Sequence, residues 1–257
     1  MELNFQKIGK QLCRIEGGNY NGKVISVSTN DDIKIKSAFE KLHLDEGKFQ
    51  QIPNGNADKD SKREILYITG ASGSGKSTYT KNYLKEYKRM YKNNPIYMFS
   101  ALKSDKSIDE MKPMRINITD ALIDDPITVE DLSNSIVIFD DIDSIGHKPH
   151  REAVFKILDS IAQTGRHTNT SMIVTNHLST GGKDTRIILN EAHSVTYFPH
   201  SGSIHGINYL LEKYVGIDNK TLKQLKKIKS RWITILKGYP QIILSEKDIF
   251  LLSSMDD

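Results

Sequence analysis

The most constraining feature of the sequence is a glycine-rich segment that directly follows a short apolar strand. Ile65–Ile68 is the predicted strand, and Lys76–Tyr91 has the residue spacing of a helix. The residues that join them match the pattern G-x-x-x-x-G-K-[ST] and are Gly70, Ala71, Ser72, Gly73, Ser74, Gly75, Lys76, Ser77 and Thr78. Backbone N–H groups and the positive end of the helix converge in such a segment, so it predicts a phosphate-binding loop, hereafter the P-loop.

The polar residues of the P-loop have distinct expected roles in holding a nucleotide. Lys76 would place a full positive charge beside the β- and γ-phosphates, and the Ser77 hydroxyl would bind Mg²⁺. Thr78 is better placed to cap or pack the first turn of the helix. The alternative interpretation is a glycine-rich turn with an incidental lysine, which the flanking strand and helix disfavour.

A second strand supplies the carboxylates that a bound nucleotide and its metal need. Four apolar residues, Ile136–Phe139, run directly into Asp140 and Asp141. Because open α/β sheets bind ligands at the carboxyl edge of their strands, Asp140 is expected to face Ser77 and Mg²⁺. Asp141 is the candidate to orient or polarise the attacking water, and Asp143 could substitute for it. In the alternative interpretation, Asp141 and Asp143 only cap the turn that follows.

Short apolar segments recur along the chain and predict the class of fold. Most are roughly 30 to 40 residues apart with helix-length stretches between them, which is typical of crossovers between parallel strands. The predicted strands are Ile65–Ile68, Ile96–Phe99, Ile136–Phe139, Met172–Thr175 and Val195–Phe198. The sequence therefore predicts an α/β fold, a RecA-like P-loop NTPase whose mainly parallel sheet carries helices on both faces, one of them Glu152–Gly165.

The order of the motifs favours ATP as the nucleotide. Asp140 follows the third strand, with another strand between it and the P-loop in sequence, as in the additional-strand ATPases related to RecA. The guanine-specific pattern N-K-x-D is absent, because the nearest text, Thr175–Leu178, lacks both the lysine and the aspartate. ATP and Mg²⁺ are therefore the expected cofactors.

Four further side chains are candidates for sensing or promoting hydrolysis. Asn176 ends the fourth strand and is expected to contact the γ-phosphate or its water, the alternative being a loop cap. His177 beside it is more easily explained as a loop residue. Arg166, at the exit of the preceding helix, is expected on the flank of the nucleotide site, where it would reach a neighbouring subunit's γ-phosphate as an arginine finger. Arg186 is the second choice, and either arginine could instead form a surface salt bridge.

Positive charge is concentrated in one segment. Lys and Arg outnumber Asp and Glu by only 36 to 32 in the whole chain. Residues 220–231, however, hold six positive and no negative side chains, and a helix is predicted over Lys220–Ser230. Lys220, Lys223 and Lys227 share one face of that helix. The basic segment 220–231 is therefore either a contact surface for DNA phosphates or a solvated helix.

Cysteine usage and the shortness of the apolar runs bear on the compartment. Cys13 is the only cysteine, so no internal disulfide is possible. A zinc site at His147 and His150 is disfavoured, because the pair lies in a proline-containing loop without a nearby Cys. The apolar runs fall far short of the roughly 20 residues of a membrane span, and no secretory signal is recognisable. We expect no membrane insertion and an intracellular location.

The composition of Pro53–Lys62 predicts a linker, and with it two domains. Residues 1–60 would form a small N-terminal extension that contains a hairpin over 11–28 and a helix over Ile33–Leu42. Residues 61–257 would form the P-loop domain, which ends in the basic helix and a C-terminal β hairpin or meander. The strands of that meander are predicted at Trp232–Leu236, Gln241–Leu244 and Ile249–Leu252.

These motifs resemble those of the FtsK/HerA-like DNA-packaging ATPases of large double-stranded DNA viruses, the poxvirus-type packaging motors. The similarity covers residues 63–200 and rests on the P-loop, the I-V-I-F-D-D strand, the T-G-R-H segment and the T-N-H end of the next strand. The resemblance implies Mg-dependent ATP hydrolysis, a homo-oligomeric ring, and movement of duplex DNA into a preassembled capsid. It also implies work in the host cytoplasm or a virus factory, or association with the virion.

Carried over by position, the resemblance assigns five roles within this sequence. It implies that Lys76 and Ser77 take the nucleotide and the metal, and that Asp140 coordinates Mg²⁺. It further implies that Asp141 is the catalytic acid and that Asn176 is the sensor.

Two functions of other classes remain open at this point. A small-molecule kinase would share the P-loop, but such kinases need a mobile lid that is usually rich in arginine. After the fourth strand this chain offers only Arg186 and Arg231. A nucleotide-binding assembly scaffold without turnover would also keep the P-loop, and it would have no need of Asp141.

Overall fold

The protein is organised as two units. The P-loop unit comprises residues 61–192, and the split unit comprises residues 1–60 together with 193–257. A unit boundary thus lies near residue 60, where the sequence predicts a linker. The sequence assigns residues 193–257 to the P-loop domain, whereas they form their unit with the first 60 residues. The computed structural model describes most of the chain, namely residues 2–28, 35–53, 63–177 and 183–252.

The N-terminal part of the split unit is a small antiparallel sheet. The strands of this part are β1 (Glu2–Asn4), β2 (Lys10–Glu16), β3 (Val24–Ser28), β4 (Lys41–His43) and β5 (Lys48–Gln51). Of these, β4 lies outside the sheet. The sheet has the order β1-β3-β2-β5. The antiparallel pairing of β2 with β3 confirms the hairpin predicted over residues 11–28.

The helix predicted over Ile33–Leu42 is wrong where the structure describes that stretch. Residues 33 and 34 lie outside the described residues, and residues 35–42 contain turns, a bridge and the start of β4. Ser37 adopts a left-handed φ of 61°, which a helix does not tolerate. Phe39 instead pairs with Leu3 through two backbone hydrogen bonds of 2.9 and 3.0 Å. Pairing with a strand distant in sequence overrides the local helical spacing.

The P-loop unit is built on a parallel sheet. Its strands are β6 (Ile65–Thr69), β7 (Ile96–Ser100), β8 (Met114–Arg115), β9 (Ile136–Asp140) and β10 (Ser171–Asn176). Their order is β6-β10-β9-β7-β8, and each neighbouring pair is parallel. Every residue of β6, β9 and β10 is buried, which explains the apolar run inside each strand. The four strands predicted here are confirmed, and β8 is too short to give a sequence signal.

Four helices accompany this sheet: α1 (Lys76–Met90), α2 (Ala121–Asp124), α3 (Lys148–Thr164) and α4 (Lys183–Glu191). The sequence predicts α1 to within one residue. The predicted start of α3 is four residues too late, because Pro149 lies in the first turn, where proline is tolerated. The buried face of α3 contains the predicted Val154, Ile157, Leu158 and Ile161.

The described C-terminal part of the split unit is an antiparallel meander with two short α-helices. Its elements are β11 (Ser194–Tyr197), α5 (Ile204–Leu210), α6 (Asn219–Leu225), β12 (Ile233–Leu236), β13 (Ile242–Ser245) and β14 (Asp248–Leu251). Within this unit the strand order is β4-β14-β13-β12-β11, so the predicted meander is confirmed. The predicted basic helix is shorter than expected, because α6 ends at Leu225. None of the helices in the described residues has the length and apolar character that a membrane crossing requires.

A buried hydrogen bond in the P-loop unit fixes α1 to the start of β6. The Tyr83 hydroxyl on α1 donates to Glu64 Oε2 at 2.7 Å, and both residues are buried. Burial, and then the nearby Glu64 charge, raise the pKa of Tyr83 well above its usual value. The phenol therefore stays protonated and remains a donor.

The substitution Tyr83→Phe removes only this hydroxyl, so Glu64 loses a donor inside the protein. Because the loss of one partner of a buried hydrogen bond costs about 1–3 kcal/mol, we expect the free energy of unfolding to fall by that amount. Urea unfolding of the full chain, followed by circular dichroism, measures it. Tyr209→Phe is the control, since that ring is 44% exposed, and wild-type stability in Tyr83→Phe would contradict the prediction.

Candidate functional site

The carboxyl edge of the parallel sheet brings the predicted polar residues together. In the strand register, Asn176 lies opposite Thr69, and Thr175 lies opposite Asp140. On the other side of Asp140, its partner is Ser100 at the end of β7. Four neighbouring strands thus end in polar residues at one edge, although each is apolar before its end.

The P-loop connects this edge to α1 through conformations that only glycine adopts easily. Gly73 and Gly75 have φ values of 76° and 114°, in the region that side chains rarely occupy. Helix α1 begins directly after Gly75, which offers no side-chain cap, and its first turn contains no acidic residue. No N-cap side chain therefore accepts hydrogen bonds from the first N–H groups of this 15-residue helix. A phosphate site at the helix start requires this arrangement.

Lys76 is the buried charge of the loop. It is 7% exposed, and its Nζ donates to Gly70 O at 2.9 Å and lies 3.5 Å from Ala71 O. A third contact joins Nζ to His177 Nδ1 at 3.1 Å. Burial lowers the pKa of Lys76, whereas the charges of Asp141, Asp140 and Asp143 raise it.

Asp140 is buried and held by two hydroxyl groups from neighbouring strands. Its Oδ1 accepts from Thr175 Oγ1 at 2.7 Å, and its Oδ2 accepts from Ser100 Oγ at 3.1 Å. Each carboxylate oxygen has a second lone pair that these bonds leave free. The donor set of Ser77 hydroxyl and Asp140 carboxylate consists of oxygen atoms alone, which is the chemistry that Mg²⁺ prefers. The residues predicted to hold Mg²⁺ therefore fit that ion.

The carboxylate that contacts Ser77 is absent from the sequence prediction. The Ser77 hydroxyl hydrogen-bonds to Asp105, which lies in the connection after β7. Burial raises the pKa of Asp105, but hydrogen bonds from Ile108 N–H, the Ser77 hydroxyl and Ser107 N–H lower it below its usual value. Asp105 thus remains ionised as an acceptor for Ser77. The sequence does not predict the contact of Asp105 with Ser77, because no recognisable motif spacing links these two residues.

Asp141 combines burial, an unusual backbone and an unpaired oxygen. It is 8% exposed and has a left-handed φ of 48°. Its Oδ2 lies 2.9 Å from His177 Nε2, while its buried Oδ1 has no hydrogen-bond partner. Burial, followed by the Asp140 charge, raises the pKa of Asp141, and Lys76 and His177 oppose that shift.

Asn176 provides another unpaired oxygen at the same edge. Its Nδ2 donates to the Tyr67 hydroxyl at 3.2 Å, and this bond fixes the amide with Oδ1 buried and unpartnered. Buried polar atoms are nearly always hydrogen-bonded in proteins, so unsatisfied oxygens mark places that a water or a ligand completes. The side chains of Asn176 and Asp141 each present one.

Of the two candidate arginines, Arg166 lies away from this cluster within its own chain. Helix α3 starts after the carboxyl edge and returns to the amino edge, so Arg166, which follows it, lies before the start of β10. Within its own chain Arg166 therefore lies toward the edge of the sheet opposite the P-loop. Arg166 is exposed, and its Nε lies 3.2 Å from His167 Nε2. Arg186 is exposed on α4, and Asp143 is exposed in the turn after Asp141. A finger role toward a neighbouring subunit stays a prediction.

The remaining candidates lie outside the cluster. His147 and His150 pack ring against ring at 4.2 Å, and His150 Nε2 bonds to Asp120 Oδ1 at 2.9 Å. Over the described ranges, no group of three or more His, Cys, Asp or Glu side chains could hold a metal ion. In the split unit, all six basic side chains of segment 220–231 are exposed, as a contact surface requires.

Comparisons with known proteins give two kinds of similarity. No protein-family model matches the chain. The pCW3 conjugation coupling protein TcpA, solved with ATPγS, is 15% identical with a TM-score of 0.50, covering 95% of this chain and 78% of that one. The DNA-packaging ATPase B204 of Sulfolobus turreted icosahedral virus is 15% identical with a TM-score of 0.48, covering 71% and 97%.

The likeness to TcpA confirms the predicted α/β P-loop NTPase fold. A viral DNA-packaging ATPase is also among the similar structures. In sequence, protein V3 of Sputnik virophage is 42% identical over 246 residues, which are 95% of this chain and 96% of that protein. The chain therefore belongs to the family of the Sputnik virophage protein V3.

Proposed function

We propose that this chain is an ATPase that moves double-stranded DNA into a viral capsid, working as a homo-oligomeric ring. The observation that carries the proposal is the buried Lys76 ammonium in a P-loop beside Asp140 and Asp141. A buried cation at a loop whose helix has no N-cap side chain suits the polyanionic end of a nucleoside triphosphate. Two nearby carboxylates suit a hydrolase better than a passive binder.

The geometry supports a division of work among the residues of this edge. Ser77 and Asp140 would hold Mg²⁺, which neutralises charge on the β- and γ-phosphates when bound. The loop N–H groups and Lys76 bind the phosphates themselves. The unpaired oxygens of Asp141 and Asn176 accept hydrogen bonds, so they can orient an attacking water toward the γ-phosphate.

The DNA-packaging part of the proposal draws on the relatives. B204 is described as a DNA-packaging ATPase, TcpA as a conjugation coupling protein, and V3 comes from a virophage. The exposed basic segment 220–231 supplies a surface that suits DNA phosphates. We infer that duplex DNA, further copies of the chain and capsid proteins are its partners, inside the infected cell or in the virion.

Two variants separate nucleotide binding from turnover. Lys76→Ala should lose ATP binding and hydrolysis, because the phosphate charge loses its buried counterion. Asp141→Asn should keep binding, while the hydrolysis rate falls by about 10²–10⁴ because the water loses its orienting carboxylate. Fluorescent-nucleotide titration and phosphate release measure the two steps. Lys85→Ala, an exposed position on α1, is the control. Unchanged turnover in Asp141→Asn would remove Asp141 from the mechanism, and a wild-type protein that binds ATP without hydrolysing it would point to a scaffold instead.

The basic segment makes a separate prediction about DNA. Replacing Lys223 and Lys227 by Ala should weaken duplex binding and reduce the slope of log affinity against log salt by about 0.9 for each lost phosphate contact. DNA should also stimulate hydrolysis less in this variant. The control removes the same charge from Lys7 and Lys41, which are exposed elsewhere in the split unit. Two results would contradict the proposal: equal salt-dependence slopes for the two variants, or a rate of ATP hydrolysis that does not change when DNA is added.

Arg166 provides the test of communication between subunits. If it reaches the γ-phosphate of a neighbour, Arg166→Ala should bind ATP normally, while turnover falls by about 10³–10⁵. Mixing it with Asp141→Asn protein tests the same point, because mixed rings would regain sites that have both groups. Arg186→Ala is the parallel variant for the second candidate. Unchanged turnover in Arg166→Ala would remove Arg166 from the mechanism.

A further inference from the structure

His177 touches two of the proposed functional groups at once. It directly follows β10, and its ring lies between the P-loop lysine and the carboxylate of the neighbouring strand end. Nδ1 is 3.1 Å from Lys76 Nζ, and Nε2 is 2.9 Å from Asp141 Oδ2. The sequence gives this histidine no role beyond the loop, and nothing in the P-loop or strand motifs requires it.

The chemistry of its two neighbours fixes how the ring is protonated. A lysine ammonium has only donors, so His177 Nδ1 must accept from Lys76. A neutral imidazole that accepts at Nδ1 carries its proton on Nε2, and that proton points to Asp141 Oδ2. One side chain thus accepts from the cation and donates to the carboxylate.

The hydrogen bonds of Lys76 show what a nucleotide must displace. Its three N–H groups are matched by Gly70 O, Ala71 O and His177 Nδ1. Two of these acceptors belong to the P-loop itself, and His177 alone belongs to another strand end. The His177 side chain is 40% exposed, so an incoming phosphate can compete for this lysine donor.

We propose that His177 is a positioning residue, an inference that rests on the proposed function. His177 releases Lys76 when the nucleotide binds and keeps Asp141 in place for hydrolysis. Its two bonds then have opposite effects. The bond to Lys76 competes with nucleotide binding, because it must break before the ammonium meets the phosphates. The bond to Asp141 supports turnover, because it holds one carboxylate oxygen and leaves the other for the water.

The test compares two substitutions of similar size. His177→Gln keeps an amide that can donate to Asp141, whereas His177→Met keeps the bulk and loses the donor. We expect His177→Met to bind a fluorescent ATP analogue at least as tightly as wild type, while kcat falls by about tenfold or more, as the loss of a charge-assisted hydrogen bond predicts. His177→Gln should recover most of kcat. His205→Ala, an exposed histidine in the split unit, is the control.

The outcomes separate this inference from the proposed function. Wild-type kcat in His177→Met overturns the inference alone, provided that the wild-type protein hydrolyses ATP. A parallel loss of affinity and kcat in both variants, with no advantage of Gln over Met, also overturns it, because it indicates a merely structural role. A wild-type protein that neither binds nor hydrolyses ATP overturns the proposed function and the inference with it.

Discussion

The buried ammonium of Lys76 is the charge around which the carboxyl edge of the P-loop unit is arranged. A cation that is 7% exposed loses most of its hydration, and its neighbours must replace that stabilisation. Loop carbonyls and the imidazole of His177 accept its hydrogen bonds, and three aspartates supply opposite charge. In turn, Lys76 partly offsets the rise in the pKa of Asp141 that burial causes.

The parallel strands bring these mutually dependent groups together. Only neighbouring strands that run in the same direction end together, so residues distant in sequence meet without any local signal. Thr175 and Ser100 fix Asp140 from the two sides, and Tyr67 on β6 fixes Asn176. The sheet therefore supplies rigid hydroxyl contacts, while the unpaired oxygens of Asp141 and Asn176 are left for the reactants.

The sequence was sufficient where chemistry and periodicity are local. The glycine pattern before Lys76, and the apolar strand that runs into Asp140, identify the fold and the edge on which the site lies. Sequence reasoning failed where contacts depend on distant chain segments. The bond of Asp105 to Ser77, the bridge of His177 and the pairing of Phe39 with Leu3 have no local pattern. The distance of Arg166 from the P-loop of its own chain likewise depends on which way α3 runs.

The most direct test of the account is an experimental structure of the protein with an ATP analogue and Mg²⁺. The account predicts that the triphosphate lies in the P-loop, with Lys76 Nζ bonded to the β- or γ-phosphate and no longer to His177. It also predicts that His177 still contacts Asp141. A nucleotide bound elsewhere, with Lys76 still bonded to Gly70 and His177 beside an empty loop, would contradict it.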